Sequence, residues 1–154
     1  MIQRIQSIFL LLGALSMGLL FSEPMSFATI FGDATALKAA DQAMLADGIF
    51  AVSDHTILLI LTIVCIGLPL LTIFFFKNRR LQVKLGRITI TLLVVTFALA
   101  IILFMQDYNL MIEGTEVNIE YGYLSPLLAI VFLALALIFI KKDDKMVRSS
   151  DRLR

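Results

Sequence analysis

Charge placement constrains this chain more than any other feature. Four apolar runs, 5–21, 56–76, 88–105 and 121–140, contain no Asp, Glu, Lys or Arg. Of the 13 Lys and Arg residues, all but Lys38 lie before the first run, between the second and third, or after the fourth. The remaining segments, 22–55 and 106–120, hold Glu23, Asp33, Asp41, Asp47, Asp54, Asp107, Glu113, Glu116 and Glu120. A hydrocarbon core of about 30 Å takes roughly 17 to 25 apolar residues as a helix, and each run has that length. Backbone polar groups in lipid must satisfy one another, so each run is expected to be helical. A soluble protein with buried helices is excluded by the 60% hydrophobic composition gathered into uninterrupted blocks.

Short basic segments beside a span stay in the cytoplasm. Arg4, the loop 77–87 and the tail 141–154 therefore belong inside, with both termini cytoplasmic, and the acidic segments 22–55 and 106–120 belong outside. The net charge of +1 hides these two opposed fields, so pI carries no information about partners. The first run is longer than the apolar core of a signal peptide and is followed by no small-x-small site before the turn at Glu23-Pro24, which favours an uncleaved anchor. Cys65, the single cysteine, falls inside the second run and can form no intramolecular disulfide; a packing role is expected. The fold class is thus an all-α membrane protein, one four-helix transmembrane bundle in a single domain.

The outer segments carry their own patterns. Leu37, Ala40 and Met44 recur at helical spacing between Ala34 and Ala46, consistent either with a short interfacial amphipathic helix or with an Ala-rich loop. Glu116, Asn118 and Glu120 alternate with Val117, Ile119 and Tyr121, which predicts a strand. Leu110 to Glu113 could pair with it across Gly114-Thr115. An isolated hairpin is marginal, and Met25 to Phe31 is the natural third strand. A small extracytoplasmic β cap over the bundle is the expectation.

Side chains able to do chemistry inside the runs are few. Proton relays and ion pathways ordinarily use ionisable residues in the membrane, and the runs have none. Thr62, Thr72, Thr89, Thr91 and Thr96 are expected to bond helix backbone or a neighbouring helix. Candidate helix-packing positions are Ala14 and Gly18, a small-xxx-small pair, and Gly67 with Pro69, where the second run should kink. A candidate outer mouth is Asp54 with His55; the bland alternative is an interfacial helix start with Ser53 or Asp54 as N-cap. A single His with scattered carboxylates points to no metal site. Tyr108, Tyr121 and Tyr123 suggest an interfacial aromatic belt, with Ser125-Pro126 opening the fourth helix. No phosphate-binding loop, dinucleotide fingerprint or hydrolase elbow is present, so neither catalytic residues nor a cofactor is expected.

The loop 77–87 and the tail 141–154 mix basic with apolar residues and are expected to extend the helices beyond the bilayer. Arg79, Arg80, Lys84, Arg148 and Arg152 are the candidates for docking a cytoplasmic partner or attracting anionic lipid. A tail this short and mixed in charge offers no folded element for nucleic acid.

The opening Met1-Ile2-Gln3-Arg4-Ile5-Gln6, the stretch Lys77-Asn78-Arg79-Arg80-Leu81-Gln82, the outer Glu120-Tyr121-Gly122 and the close from Lys145 to Arg154 also resemble a known family. These are small four-span membrane proteins of Bacteroidota, catalogued as domain of unknown function 4293. The resemblance spans the chain and implies a bacterial inner-membrane location; it brings no activity and no site residue.

Two functions fit these readings. One is a non-enzymatic scaffold or accessory subunit that packs against a larger membrane assembly, or self-associates. The other is a small carrier or lipid-handling protein, which would need a lipid-sized, polar-mouthed cavity.

Overall fold

A computed structural model describes residues 3–22, 25–31, 49–76, 78–109 and 116–151. Helix α1 covers Gln3–Gly18 and continues as a 3-10 turn over Leu19–Phe21; α2 covers Thr56–Phe74, α3 Arg79–Asn109 and α4 Leu124–Asp151. Strands β1 (Ala28–Phe31), β2 (Ile49–Phe50) and β3 (Glu116–Ile119) make one sheet of order β2-β1-β3. Three helical stretches, Thr56–Phe74, Arg79–Gln106 and Tyr121–Val147, are long and apolar enough to cross a membrane, and Ile5–Phe21 is a shorter apolar one. At a rise of about 1.5 Å per residue α1 measures about 24 Å, and a 3-10 turn at about 2 Å per residue adds roughly 6 Å. The turn thus brings the shortest helix near the thickness of a hydrocarbon core.

The helices form a ring in which α1 meets α2 and α4, and α3 meets α2 and α4. Each presents a narrow seam to the others. On α3 the buried residues are Gln82, Gly86, Thr89, Leu93, Thr96 and Ala100, and on α4 they include Ala129, Leu133, Ala136 and Ile140. These steps of four and three are the spacing by which helices mesh along a left-handed seam. On α2 the buried face is Leu58, Thr62, Cys65, Pro69 and Thr72, while Ile57, Ile60, Ile63, Leu71 and Phe74 point outward. On α2 small and hydroxyl-bearing side chains predominate inside and bulky aliphatic ones outside, although Leu10, Leu93, Leu133 and Ile140 are buried in the other seams. A soluble core shows the reverse; this partition suits helices whose solvent is lipid, where close approach rather than water exclusion drives packing.

Hydroxyls in the seams mostly return to backbone. Ser16, Thr72, Thr89 and Thr96 donate to the carbonyls of Leu12, Leu68, Leu85 and Leu92, four residues back, at 2.7–2.9 Å. Thr62 Oγ1 is the exception, buried with no partner. Three longer ties cross between elements. Gln82 Nε2 donates to Thr72 O (3.1 Å), Gln6 Nε2 to Phe139 O (3.2 Å), and Ser125 Oγ to Ser16 O.

The sheet gathers the end of α1, the start of α2, the end of α3 and the start of α4. Strand β1 is central, with Ala28 opposite Phe50 on one side and Ile119 on the other. Backbone bonds extend the ladder at both edges: Phe27 N to Phe50 O (2.9 Å), Glu120 N to Phe27 O (3.0 Å) and Gly122 N to Ser26 O (3.0 Å). Thr29 Oγ1 donates to Glu120 Oε1 at 3.0 Å. Beneath the sheet, Phe27 lies 5.0 Å from the Tyr123 ring and 6.0 Å from Phe50, and Phe50 lies 5.3 Å from Phe104 in an edge-on pair. This aromatic layer joins sheet to helices.

The structure revises two sequence expectations, and a third falls outside the described residues. Strand β3 pairs directly with β1 from the stretch 25–31; Leu110 to Thr115, and with them the proposed hairpin, lie outside the described residues, as does the stretch from Ala34 to Ala46. Tyr123 is not part of an outer belt: it packs inward on Phe27 and Phe97, whereas Tyr121 is 68% exposed. The N-cap position of α2 is His55 rather than Ser53 or Asp54. Asp54 instead turns back on its own loop, its Oδ2 accepting from Ala51 N at 2.6 Å, which removes it from the helix end.

Candidate functional site

At the sheet end, the candidate mouth of Asp54 and His55 is a structured corner. Asp54 Oδ1 accepts from Ser53 Oγ at 3.3 Å, besides the bond to Ala51 N. The His55 ring lies 5.8 Å from that of Phe50, and His55 O accepts from the N–H groups of Leu58 and Leu59 at 2.9 and 3.0 Å. Both residues shape the entry into α2. Close by, between the end of α1 and β2, lies a cleft of about 520 Å³ whose walls include Leu20, Phe21 and Ile49 and whose polar atoms come from Ser22, Ser26 and Ser53.

Within the bundle, Ala14 and Pro69 are buried, and α2 runs through Pro69 as one helix. Gly18 and Gly67 have room beside them: an added Cβ would meet nothing within 4 Å. The close approach on α1 falls instead on Gly13, where a Cβ would lie 3.2 Å from Leu133 Cγ and 3.6 Å from Ala129 O. Sequence pattern could not separate Gly13 from Gly18, because both stand in the same apolar run and only the position of α4 distinguishes them.

The opposite end gathers the basic residues. The starts of α3 and the last turns of α4 project past the apolar part of the bundle as helices, placing residues from the loop 77–87 beside residues from the tail 141–154. Asn78 Oδ1 accepts from Leu81 N at 3.2 Å, capping α3 and fixing Arg79 at its first turn. Arg79 Nε lies 3.0 Å from Asp143 Oδ2, an ion pair aligned off the hydrogen-bond direction, with the two side chains 23% and 12% exposed. Beside this pair opens a cleft of about 400 Å³ lined by Arg79, Arg80, Val83, Arg87, Lys141, Asp144 and Lys145. Of the five basic candidates read from the sequence, Arg79 and Arg80 line this cleft. Lys84 is exposed on α3 outside it, and the side chains of Arg148 and Arg152 lie outside the described residues.

Arg87, Lys141 and Lys145 were not singled out from sequence, since a basic residue near a span has a sufficient topological reason to be there. Their convergence depends on the pairing of α3 with α4. Gln82 and Gln6 were also passed over. Both stand in seam register next to an apolar run, a legible signal for a buried amide that ties two elements together.

Among the described residues no three His, Cys, Asp or Glu side chains group to hold a metal ion. No curated protein and no solved structure matches the chain. A family model matches residues 2–153, nearly the whole chain, and the chain therefore belongs to the family described as Domain of unknown function (DUF4293).

Proposed function

We propose that this protein is a non-enzymatic, multi-pass scaffold or accessory subunit of a bacterial inner membrane, with both termini cytoplasmic and the sheet on the outer face. The observation that carries this reading is the use made of buried polar groups. Ser16, Thr72, Thr89, Thr96, Gln6, Gln82 and Ser125 are all spent on backbone carbonyls, and charge is confined to the two ends. A bundle built this way holds a shape and presents outward-facing Ile, Leu, Val and Phe to whatever lies beside it in the membrane. In such surroundings, helix partners are recognised by packing. The basic end and the outer sheet offer contacts on either side.

The experiment is a mild-detergent pull-down from native membranes at endogenous expression, with an internal tag, read by mass spectrometry and native mass. A stoichiometric integral membrane partner is expected. Recovery of the protein alone with a retained lipid or small molecule would replace this reading with the carrier or lipid-handling one. That second reading draws support from the serine-edged cleft between α1 and β2, whose volume of about 520 Å³ lies within the usual range for small-molecule sites.

A further inference from the structure

We infer that the basic cleft between α3 and α4 is a binding site for the phosphodiester headgroup of an anionic phospholipid. This rests on the membrane placement of the helices and not on the accessory role.

Charge is the first support. Arg79, Arg80, Arg87, Lys141 and Lys145 face two carboxylates, Asp144 in the cleft wall and Asp143 on Arg79, leaving three positive charges in excess. The Arg79–Asp143 pair links the two helices beside the cleft. An anion entering it meets cations from two elements at once, and guanidinium groups suit phosphate oxygens because they present paired N–H donors.

Position decides between a lipid and a soluble partner. The cleft lies at the edge of the apolar surface, and on α3 Thr91, its hydroxyl turned back on Arg87 O at 3.1 Å, stands between the cations and Val94. On α4, Ile138 is 59% exposed one turn before Lys141 and Lys142; on α3, Val94, 51% exposed, lies two turns beyond Arg87 on the same face. A headgroup held by Arg80, Arg87 and Lys141 would lay its acyl chains along Ile138 and Val94. An acidic peptide would use the cations and leave this apolar continuation without purpose. Basic pockets between helices at a membrane surface are a known chemistry for anionic headgroups.

The test uses the full chain in neutral detergent, titrated in separate arms with phosphatidylglycerol, phosphatidylcholine and inorganic phosphate, with the bound fraction read by native mass. Phosphatidylglycerol is expected to be retained about tenfold more strongly than phosphatidylcholine, from roughly a tenfold gain for every one or two added basic contacts. The double variant Arg80→Gln, Lys141→Gln should lose about thirtyfold in retention, and Arg80→Lys, Lys141→Arg should keep it. Lys84→Gln with Lys142→Gln removes the same charge outside the cleft and should cost less than about threefold, the residue of general surface attraction. Equal losses from the two Gln pairs would overturn the site. So would loss of retention in the charge-preserving pair, saturation by inorganic phosphate alone, which would assign the cleft to a free anion, or displacement of phosphatidylglycerol by an equimolar hexaglutamate peptide, which would assign it to an acidic protein segment. The accessory role stands or falls on whether a protein partner is recovered in the pull-down, which none of these outcomes decides, so the two readings fail separately.

Discussion

At the sheet end, three strands cross-link the tips of all four helices through backbone hydrogen bonds, and Phe27, Phe50, Phe104 and Tyr123 fill the space beneath. At the basic end, the Arg79–Asp143 ion pair links α3 and α4 beside an open cleft, with the close contact of Gly86 and Leu137 and the amide ties from Gln82 and Gln6 set deeper. Directional backbone bonds and aromatic packing fix the first end in one arrangement. At the second, five basic side chains and the Asp144 carboxylate line an open cleft. The difference separates two tasks: one end specifies the bundle, the other is left available for an anion.

The comparison breaks most readily at Phe50. Its ring is fully buried and contacts Phe27, His55 and Phe104, so Phe50→Ala should cost about 3–5 kcal/mol. Buried Cys65, the only thiol, allows this to be followed as earlier labelling by a thiol-reactive dye on heating. Gly122 comes next. Its N–H bonds Ser26 O, and an added Cβ would stand 2.7 Å from Met25 O and closer still to Ser26 O, both backbone atoms with little freedom to move. Gly122→Ala should therefore lower stability by about 1–3 kcal/mol in the same assay.

Asp143→Asn sharpens the contrast from the other side. The pair with Arg79 is largely buried, Asp143 Oδ2 being shut off from solvent, so its loss should cost about 1–3 kcal/mol. The same change frees the Arg79 charge, and phosphatidylglycerol retention should rise about fivefold, from about 1 kcal/mol per basic residue. A loss of stability in Asp143→Asn larger than that in Phe50→Ala would reverse the roles assigned to the two ends. Unchanged lipid retention would remove Arg79 from the headgroup site.

Much of the bundle was legible from residue order because lipid imposes one rule at a time: apolar runs of sufficient length become helices. The strand at Glu116–Ile119 was legible from its alternation, and β1 falls within the stretch proposed as its partner. Tyr123 and Gly122 were not assigned their roles, because each depends on where Phe27 and Ser26 arrive from a segment almost a hundred residues away. The start of α2 was misread for a local reason. Ser53 and Asp54 are good capping residues, but Asp54 satisfies itself on Ala51 N, and nothing in the spacing shows which donor wins.

Sequence alone determined that this chain forms long apolar helices with their charges sorted to alternate ends, since hydrophobic run length and the cost of placing charge in hydrocarbon are properties of the chain taken in order. Tertiary structure decided which small residue meets a neighbour, Gly13 and not Gly18, and that the tyrosine at 123 faces inward. It also decided that Arg80 and Arg87 share a cleft with Lys141 and Lys145. Those outcomes depend on helix pairing and rotation, which bring together residues far apart in sequence and which no local pattern encodes.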